Sequence, residues 1–277
     1  MLPSEGVESA AGAVVRRWSG WRVRLFTRYA AMYLGRHFGG LYLRRGTRPH
    51  VVPGRNGCRR VVVVMNHPSW WDPLVAMLLK REWFGEIPAF GGMAAAELDR
   101  YPFFKRLGLF PIRAGVAGAR DWSRAMEAVG RCESAVVWTT PQGRFVDARE
   151  RGVALMPGVA ACGELSRGCV YLPVAVEYVC GRGRLPEVYV SVGDALSAEE
   201  LVGLSRVEVA DRLRKGLEAE QDALAEAVMS GDPARWESLR SGSRGLGSVY
   251  GWWRRLVGGK SVGEVRWEDV SRGGRRV

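Results

Sequence analysis

The stretch V-V-V-V-M-N-H-P-S-W-W-D-P, from Val61 to Pro73, decides how the middle of the chain folds. Its β-branched run is continuously apolar, which is typical of a strand buried on both faces of a sheet. Pro68 and Pro73 bracket a turn, and a helix after Pro73 would fix Asp72 near its start. The Asp72 carboxylate can then return to His67 and hold one ring nitrogen protonated. The alternative is a histidine that only satisfies backbone groups at the end of a strand.

Outward from this stretch, the body of the chain alternates two kinds of pattern. Apolar runs at 61–65, 135–139, 170–178 and 188–192 predict strands, and patterns at 73–82, 118–131, 157–166 and 206–229 predict helices. Strand–helix alternation predicts an α/β fold, in which helices flank a largely parallel central sheet.

The positive charge of the 277-residue chain, +12 in total, is concentrated at its two ends. Residues 1–50 hold nine arginines against two glutamates, and residues 235–277 hold ten basic residues against four acidic ones. Both ends are also rich in aromatic residues. We therefore predict three regions: a basic, amphipathic helical segment at 1–50 that associates with a membrane, an α/β domain at 51–234, and a basic, Trp-rich tail at 235–277.

The first of these regions has apolar residues at helical spacing, among them Trp21, Leu25 and Tyr29. Glycines interrupt the pattern, which favours two short helices between about 14 and 43 over one long helix. Such a segment could lie in the plane of a membrane interface or pack on the body. Interleaved arginines and aromatic rings suit an anionic membrane surface. Nucleic acid and simple solvation are the competing explanations, and the nearly neutral body argues against nucleic acid.

Other classes of protein lack support in the sequence. Its five cysteines form no C-x-x-C pair, and with three histidines they offer no zinc spacing. Scattered cysteines suit a reducing cytosol. We find neither a signal peptide nor eighteen consecutive apolar residues. The expected location is peripheral or monotopic, on the cytoplasmic face of a membrane.

Four short blocks resemble those of one enzyme family. Asn66-His67-x-x-x-x-Asp72 resembles the first motif of the glycerolipid acyltransferases, the 1-acylglycerol-3-phosphate O-acyltransferases. Downstream, G-L-F-P-I-R at 108–113 is similar to the family's G-x-x-F-I-x-R block. T-P-Q-G-R at 140–144 lies where F-P-E-G-T-R is expected, and L-P-V at 172–174 is similar to the closing V-P-V. Four blocks in the family's order are a specific match.

The resemblance implies transfer of a fatty acyl group from acyl-CoA or acyl carrier protein to a lipid hydroxyl, without a metal or redox cofactor. His67 would be the general base and Asp72 would orient it. The acceptor implied is a lysophospholipid such as 1-acylglycerol-3-phosphate. The residues expected to bind substrate are Arg113, Gln142, Gly143, Arg144 and Asn66.

The third block departs from the family pattern. Gln142 replaces its glutamate, and the pair Arg144-Phe145 replaces Thr-Arg. We therefore expect an altered acceptor pocket, for which a hydroxylated or glycosylated lipid such as a carotenoid glycoside is the alternative acceptor. A catalytically silent lipid-binding homologue is the second alternative. Ser69 lacks a G-x-S-x-G context and is expected to be a turn or cap hydroxyl, while Trp70 and Trp71 either line a substrate channel or pack beneath the site.

Overall fold

A computed structural model describes residues 13, 15, 17–164, 168–181 and 183–241. The strands are β1 Gly40–Arg44, β2 Arg60–Met65, β3 Ala89–Ala94, β4 Leu109–Ile112, β5 Ala135–Thr139, β6 Cys169–Val179, β7 Glu187–Val192, β8 Leu196–Ser197 and β9 Trp236–Ser241. The helices are α1 Gly20–His37, α2 Asp72–Phe84, α3 Ala95–Arg100, α4 Val116–Gly130, α5 Ala161–Glu164 and α6 Arg206–Met229. Short 3-10 helices span Pro102–Leu107, Pro157–Ala160, Ala198–Leu201 and Pro233–Arg235.

The strands form one sheet in the order β4-β3-β5-β2-β6-β7-β1-β9, with β8 added beside β6. All neighbours from β4 to β6 are parallel, and β1 is parallel to β7. Antiparallel pairs join β7 and β8 to β6, and β9 to β1. The predicted α/β fold with a largely parallel sheet is therefore confirmed.

Strand β2 lies at the centre because its side chains are apolar toward both faces of the sheet. Val62 and Val64 join a core with residues of α4 and α6, whereas Val61 and Val63 join a core with residues of α1 and α2. All four valines are at most 1% exposed, and burial of such a side chain is worth roughly 1.5–3 kcal/mol. Two helical layers thus hold the strand that ends at the candidate site.

Two of the predicted regions need correction. Residues 40–44 lie in a strand, β1, although we placed them in the helical N-terminal segment, and residues 236–241 of the predicted tail form β9 beside it. The alternation of buried and part-buried residues in β1 covers only four positions, from Leu41 to Arg44, so the longer helical pattern before it hid the strand. The predicted tail beyond Ser241 lies outside the described residues.

Helix α1 is continuous through Gly35 to His37, whereas we expected glycines to divide the segment. The helical conformation is interrupted earlier, because Trp18 and Ser19 are not helical. One face of α1 is buried, with Val23, Ala30 and Leu34 at 0–6% exposure. Among the described residues, no helix is both long and apolar enough to cross a membrane.

Candidate active site

The loop between β2 and α2 brings His67 and Asp72 into contact. His67 follows Asn66 at the carboxyl end of the central strand, where parallel sheets place their ligands. Asp72 is the first residue of α2. The His67 Nδ1 atom lies 2.6 Å from Asp72 Oδ2, and the Asp72 side chain is 1% exposed against 21% for His67. A buried carboxylate on Nδ1 leaves Nε2 as the nitrogen that can accept a proton.

Asp72 has two further hydrogen-bond donors. The backbone N–H of Ser69 donates to Oδ2 at 3.1 Å, and the Tyr178 hydroxyl donates to Oδ1 at 2.6 Å. The Ser69 hydroxyl accepts from the backbone N–H of Trp71 at 3.3 Å, which confirms its predicted role in the turn. The sequence predicts the strand that contains Tyr178. It gives no signal that the end of this strand lies beside Asp72, so the role of Tyr178 was missed.

Gln142 holds the backbone at the candidate base. Its Oε1 atom accepts from the backbone N–H of His67 at 2.8 Å. The backbone N–H of Val146 donates to the His67 carbonyl at 3.0 Å. The loop after β5 therefore forms hydrogen bonds with both the backbone N–H and the backbone carbonyl of His67. A predicted substrate contact of Gln142 would have to use its amide N–H group, because its oxygen is already engaged.

Asn66 and Gly143 have structural partners. The Asn66 side chain donates to the Val176 carbonyl at 2.9 Å and accepts from the Val176 N–H at 2.8 Å. It thereby extends the pairing of β2 with β6 by one step. Gly143 adopts a φ of 68°, and its N–H donates to the Thr140 carbonyl at 3.1 Å. That amide is therefore occupied, whereas we expected this position to help an amide reach the substrate; the substrate contacts of both residues stay predictions.

The two arginines predicted to bind substrate form ion pairs. Arg113 donates through Nε and Nη2 to both oxygens of Asp121, at 2.8 and 2.6 Å. These hydrogen bonds are the main cause that lowers the pKa of Asp121. Arg144 lies 3.2 Å from the Glu150 carboxylate. Neither contact joins an arginine to His67 or Asp72, and the substrate-binding roles of Arg113 and Arg144 stay predictions.

One aromatic ring packs on the candidate base, and two more lie in the loop that follows it. The ring of Phe145 has its centroid 4.4 Å from that of His67, although 58% of the residue is exposed. Trp70 is also exposed and lies 4.1 Å from Trp71, which packs on Phe38. The sequence left two roles open for these tryptophans. Trp71 packs beneath the loop, whereas Trp70 faces outward. Phe145 was missed, since its only sequence signal is its place next to Arg144.

The described residues contain no group of three or more His, Cys, Asp or Glu side chains placed to hold a metal ion.

Comparison with solved structures finds several similar chains. The chain is similar to the crystal structure of PlsC, the 1-acyl-sn-glycerophosphate (LPA) acyltransferase from Thermotoga maritima. The two share 15% sequence identity over 75% of this chain and 79% of that chain, with a TM-score of 0.42. No profile of a known family and no curated protein matches the sequence.

Proposed function

We propose that the protein is an O-acyltransferase that moves a fatty acyl group from a thioester to a lipid hydroxyl. The observation that carries this proposal is the 2.6 Å contact between His67 Nδ1 and the buried Asp72 carboxylate. An imidazole that is held at Nδ1 by a buried carboxylate and is itself partly exposed suits general-base catalysis. The order of the four blocks around it agrees with the same reaction.

The reaction follows from the roles of the two residues. His67 Nε2 removes the proton of the acceptor hydroxyl while the oxygen attacks the thioester carbonyl. The C–S bond then breaks, and the departing thiolate takes the proton from the imidazolium. Asp72 stays ionised and stabilises the charged imidazole. Acyl-CoA or acyl carrier protein serves as the donor, with no metal or redox cofactor in the step.

Direct transfer, without an acyl-enzyme, agrees with the contacts of Ser69. Its hydroxyl accepts from a backbone N–H in the turn, and its hydrogen bonds include none to His67. A serine nucleophile would need an adjacent base.

The acceptor implied by the resemblance is a lysophospholipid such as 1-acylglycerol-3-phosphate, whose phosphate would need a cation. One contact favours an acceptor that is uncharged near its hydroxyl instead, because the apolar ring of Phe145 lies against the base. Arg113 and Arg144 are paired with Asp121 and Glu150 in exposed ion pairs, which a phosphate would have to displace. We therefore propose a hydroxylated or glycosylated lipid, of which a carotenoid glycoside is an example, as the favoured acceptor.

We also propose that helix α1 binds an anionic membrane surface and places the protein on the cytoplasmic face. Its outward side exposes Trp21, Leu25, Tyr29 and Met32, each 46–59% accessible. These residues recur at helical spacing, and arginines lie between them, as in helices that rest in a membrane interface. The buried side of α1 packs on the body, so the same helix combines the two roles that the sequence left open.

The membrane proposal is tested with the double variant Trp21→Ser/Leu25→Ser. We expect weaker co-sedimentation with anionic vesicles, because apolar area is lost from the outward side. The control is Val202→Ser/Met229→Ser, which removes two exposed apolar side chains elsewhere. Equal vesicle binding by the two double variants would exclude α1 as the anchor.

The reaction itself is tested with His67→Ala, assayed with an acyl thioester against a panel of lysophospholipids and uncharged hydroxylated lipids. Products are identified by mass spectrometry. Loss of a general base lowers the rate by about 10²–10⁴-fold. His50→Ala is the matched control, because His50 is exposed and lies outside the site. Undiminished transfer by His67→Ala, with both variants folded, would exclude the proposed mechanism.

A further inference from the structure

Tyr178 reaches Asp72 because β6 continues beyond the end of β2. The last backbone pair of the two strands is Met65 with Val174, and β6 runs on to Val179. The Asn66 side chain bonds to Val176 in this extension, which holds the overhanging part of β6 beside the catalytic loop. Tyr178 therefore lies two residues beyond an anchored position of the strand.

The Tyr178 ring is fixed from the side as well. Phe38, which is 5% exposed, packs on Tyr178 with ring centroids 5.7 Å apart. The same phenylalanine contacts Trp71 edge to face at 5.1 Å. Ring packing thus gives the hydroxyl one direction, toward Asp72 Oδ1 at 2.6 Å.

The two oxygens of Asp72 are divided between different partners. Oδ2 faces His67 and the Ser69 N–H, whereas Oδ1 faces the Tyr178 hydroxyl. Hydrogen bonds to an ionised carboxylate are strong, and they stabilise its negative charge. A carboxylate that has lost the Oδ1 donor would be buried with an unpartnered oxygen, and it would hold a proton on the His67–Asp72 pair more tightly.

We propose that Tyr178 is a positioning residue, which acts through Asp72 and limits how tightly the His67–Asp72 pair holds a proton. The inference rests on the proposed function, since it assigns a role within the same reaction. Tyr178 itself transfers no proton. Burial is the main cause that raises the pKa of Tyr178 well above its ordinary value, and the charge and hydrogen bond of Asp72 add to it. The hydroxyl therefore remains a donor.

Other titratable groups lie on the elements that pack around the pair. His37 at the end of α1 lies against Trp71, with centroids 5.4 Å apart. Arg144, in the loop after β5, is paired with Glu150. Glu177, the neighbour of Tyr178 on β6, has a pKa raised by burial and interacts with charges at 147–151. None of these groups forms a hydrogen bond with Asp72 among the described residues, whereas Tyr178 does.

The test compares Tyr178→Phe with Tyr189→Phe. Tyr189 is a suitable control because its hydroxyl also donates to a carboxylate, that of Glu187, at 2.7 Å, and its strand β7 pairs with β6. We expect Tyr178→Phe to shift the acidic limb of the kcat/KM profile upward by about one pH unit. Activity below that limb should fall about 10-fold, and activity at higher pH should recover.

Proton NMR adds a readout that needs no activity. The chain has three histidines, so His67→Ala identifies the His67 ring signal. Its titration midpoint should rise in Tyr178→Phe and stay unchanged in Tyr189→Phe. An unshifted midpoint, a downward shift, or a loss that is equal at every pH would overturn the role of Tyr178. Active His67→Ala would overturn the proposed function instead, and the NMR titration would still decide whether Tyr178 acts on the pair.

Discussion

The proposed catalytic cluster and the arginine pairs are built in opposite ways. The proposed catalytic cluster comprises His67, Asp72, Gln142 and Tyr178, whose contacts are short and largely shielded from solvent. The arginine pairs are Arg113 with Asp121 and Arg144 with Glu150, in which the arginine side chains are 57% and 59% exposed. Exposed ion pairs contribute little to stability, because solvent and salt screen them. The proposed catalytic cluster is therefore held by buried contacts, whereas the arginine pairs are exposed.

The largest effect expected from this difference is on catalysis, in the variant Asp72→Asn. An amide cannot stabilise the imidazolium as a carboxylate does, and its N–H group would oppose a donor in this cluster. We expect the rate of acyl transfer to fall by about 10²–10⁴-fold, as when base catalysis is lost. Steady-state kinetics with a saturating thioester provide the measurement.

Asp121→Asn is the corresponding change in an arginine pair. It removes the same charge from a carboxylate that also receives hydrogen bonds from an arginine. Its rate should stay close to that of the parent protein. If the two variants lose activity equally, the distinction between the catalytic cluster and the arginine pairs is wrong.

A buried charge outside the catalytic cluster predicts the next largest effect. Lys80 in α2 is 4% exposed, and its ammonium donates to the Gly85 carbonyl at 2.6 Å. Burial lowers the pKa of Lys80 from 10.5 to about 8. Between these two values the unfolded chain binds more protons than the folded protein, so the free energy of unfolding should increase as the pH rises from about 8 to 10.5. The full contribution is about 3 kcal/mol.

Denaturant unfolding at a series of pH values measures this effect as the difference between the parent protein and Lys80→Met. The parent should gain stability relative to the variant across that window. Lys215→Met removes an exposed lysine, with a side chain 64% accessible, and serves as the control. A parent–variant difference that is flat from pH 8 to 10.5 would contradict the lowered pKa of the buried Lys80.

Parts of the molecule that depend on local pattern were predictable from the sequence. The limits of β5 and α6 match the prediction, because an apolar run and a long helical period each describe one element. The contact of His67 with Asp72 was also predictable, since only a short turn separates them. Tyr178 lies 106 residues beyond Asp72, and its placement depends on how far β6 extends past β2. The Arg113–Asp121 pair was missed because nothing in the second block specifies which neighbour satisfies its arginine.

The smallest expected effect is on the preference for one acceptor over another. The variant that tests it places a positive charge, such as the arginine pairs carry, next to the catalytic cluster. Phe145→Arg places a cation beside His67, where the parent has an apolar ring. A new charge-assisted hydrogen bond should shift the ratio of kcat/KM values toward a phosphate-bearing acceptor by roughly 10-fold. Val202→Arg adds the same charge at a residue that is 82% exposed, and it controls for general attraction of anionic lipids. If both arginines change the ratio equally, Phe145 does not select the acceptor. If only Phe145→Arg changes the ratio, the apolar ring beside His67 discriminates against phosphate-bearing acceptors. The contact of Phe145 with His67 then determines the acceptor preference without altering the proposed acyl-transfer chemistry.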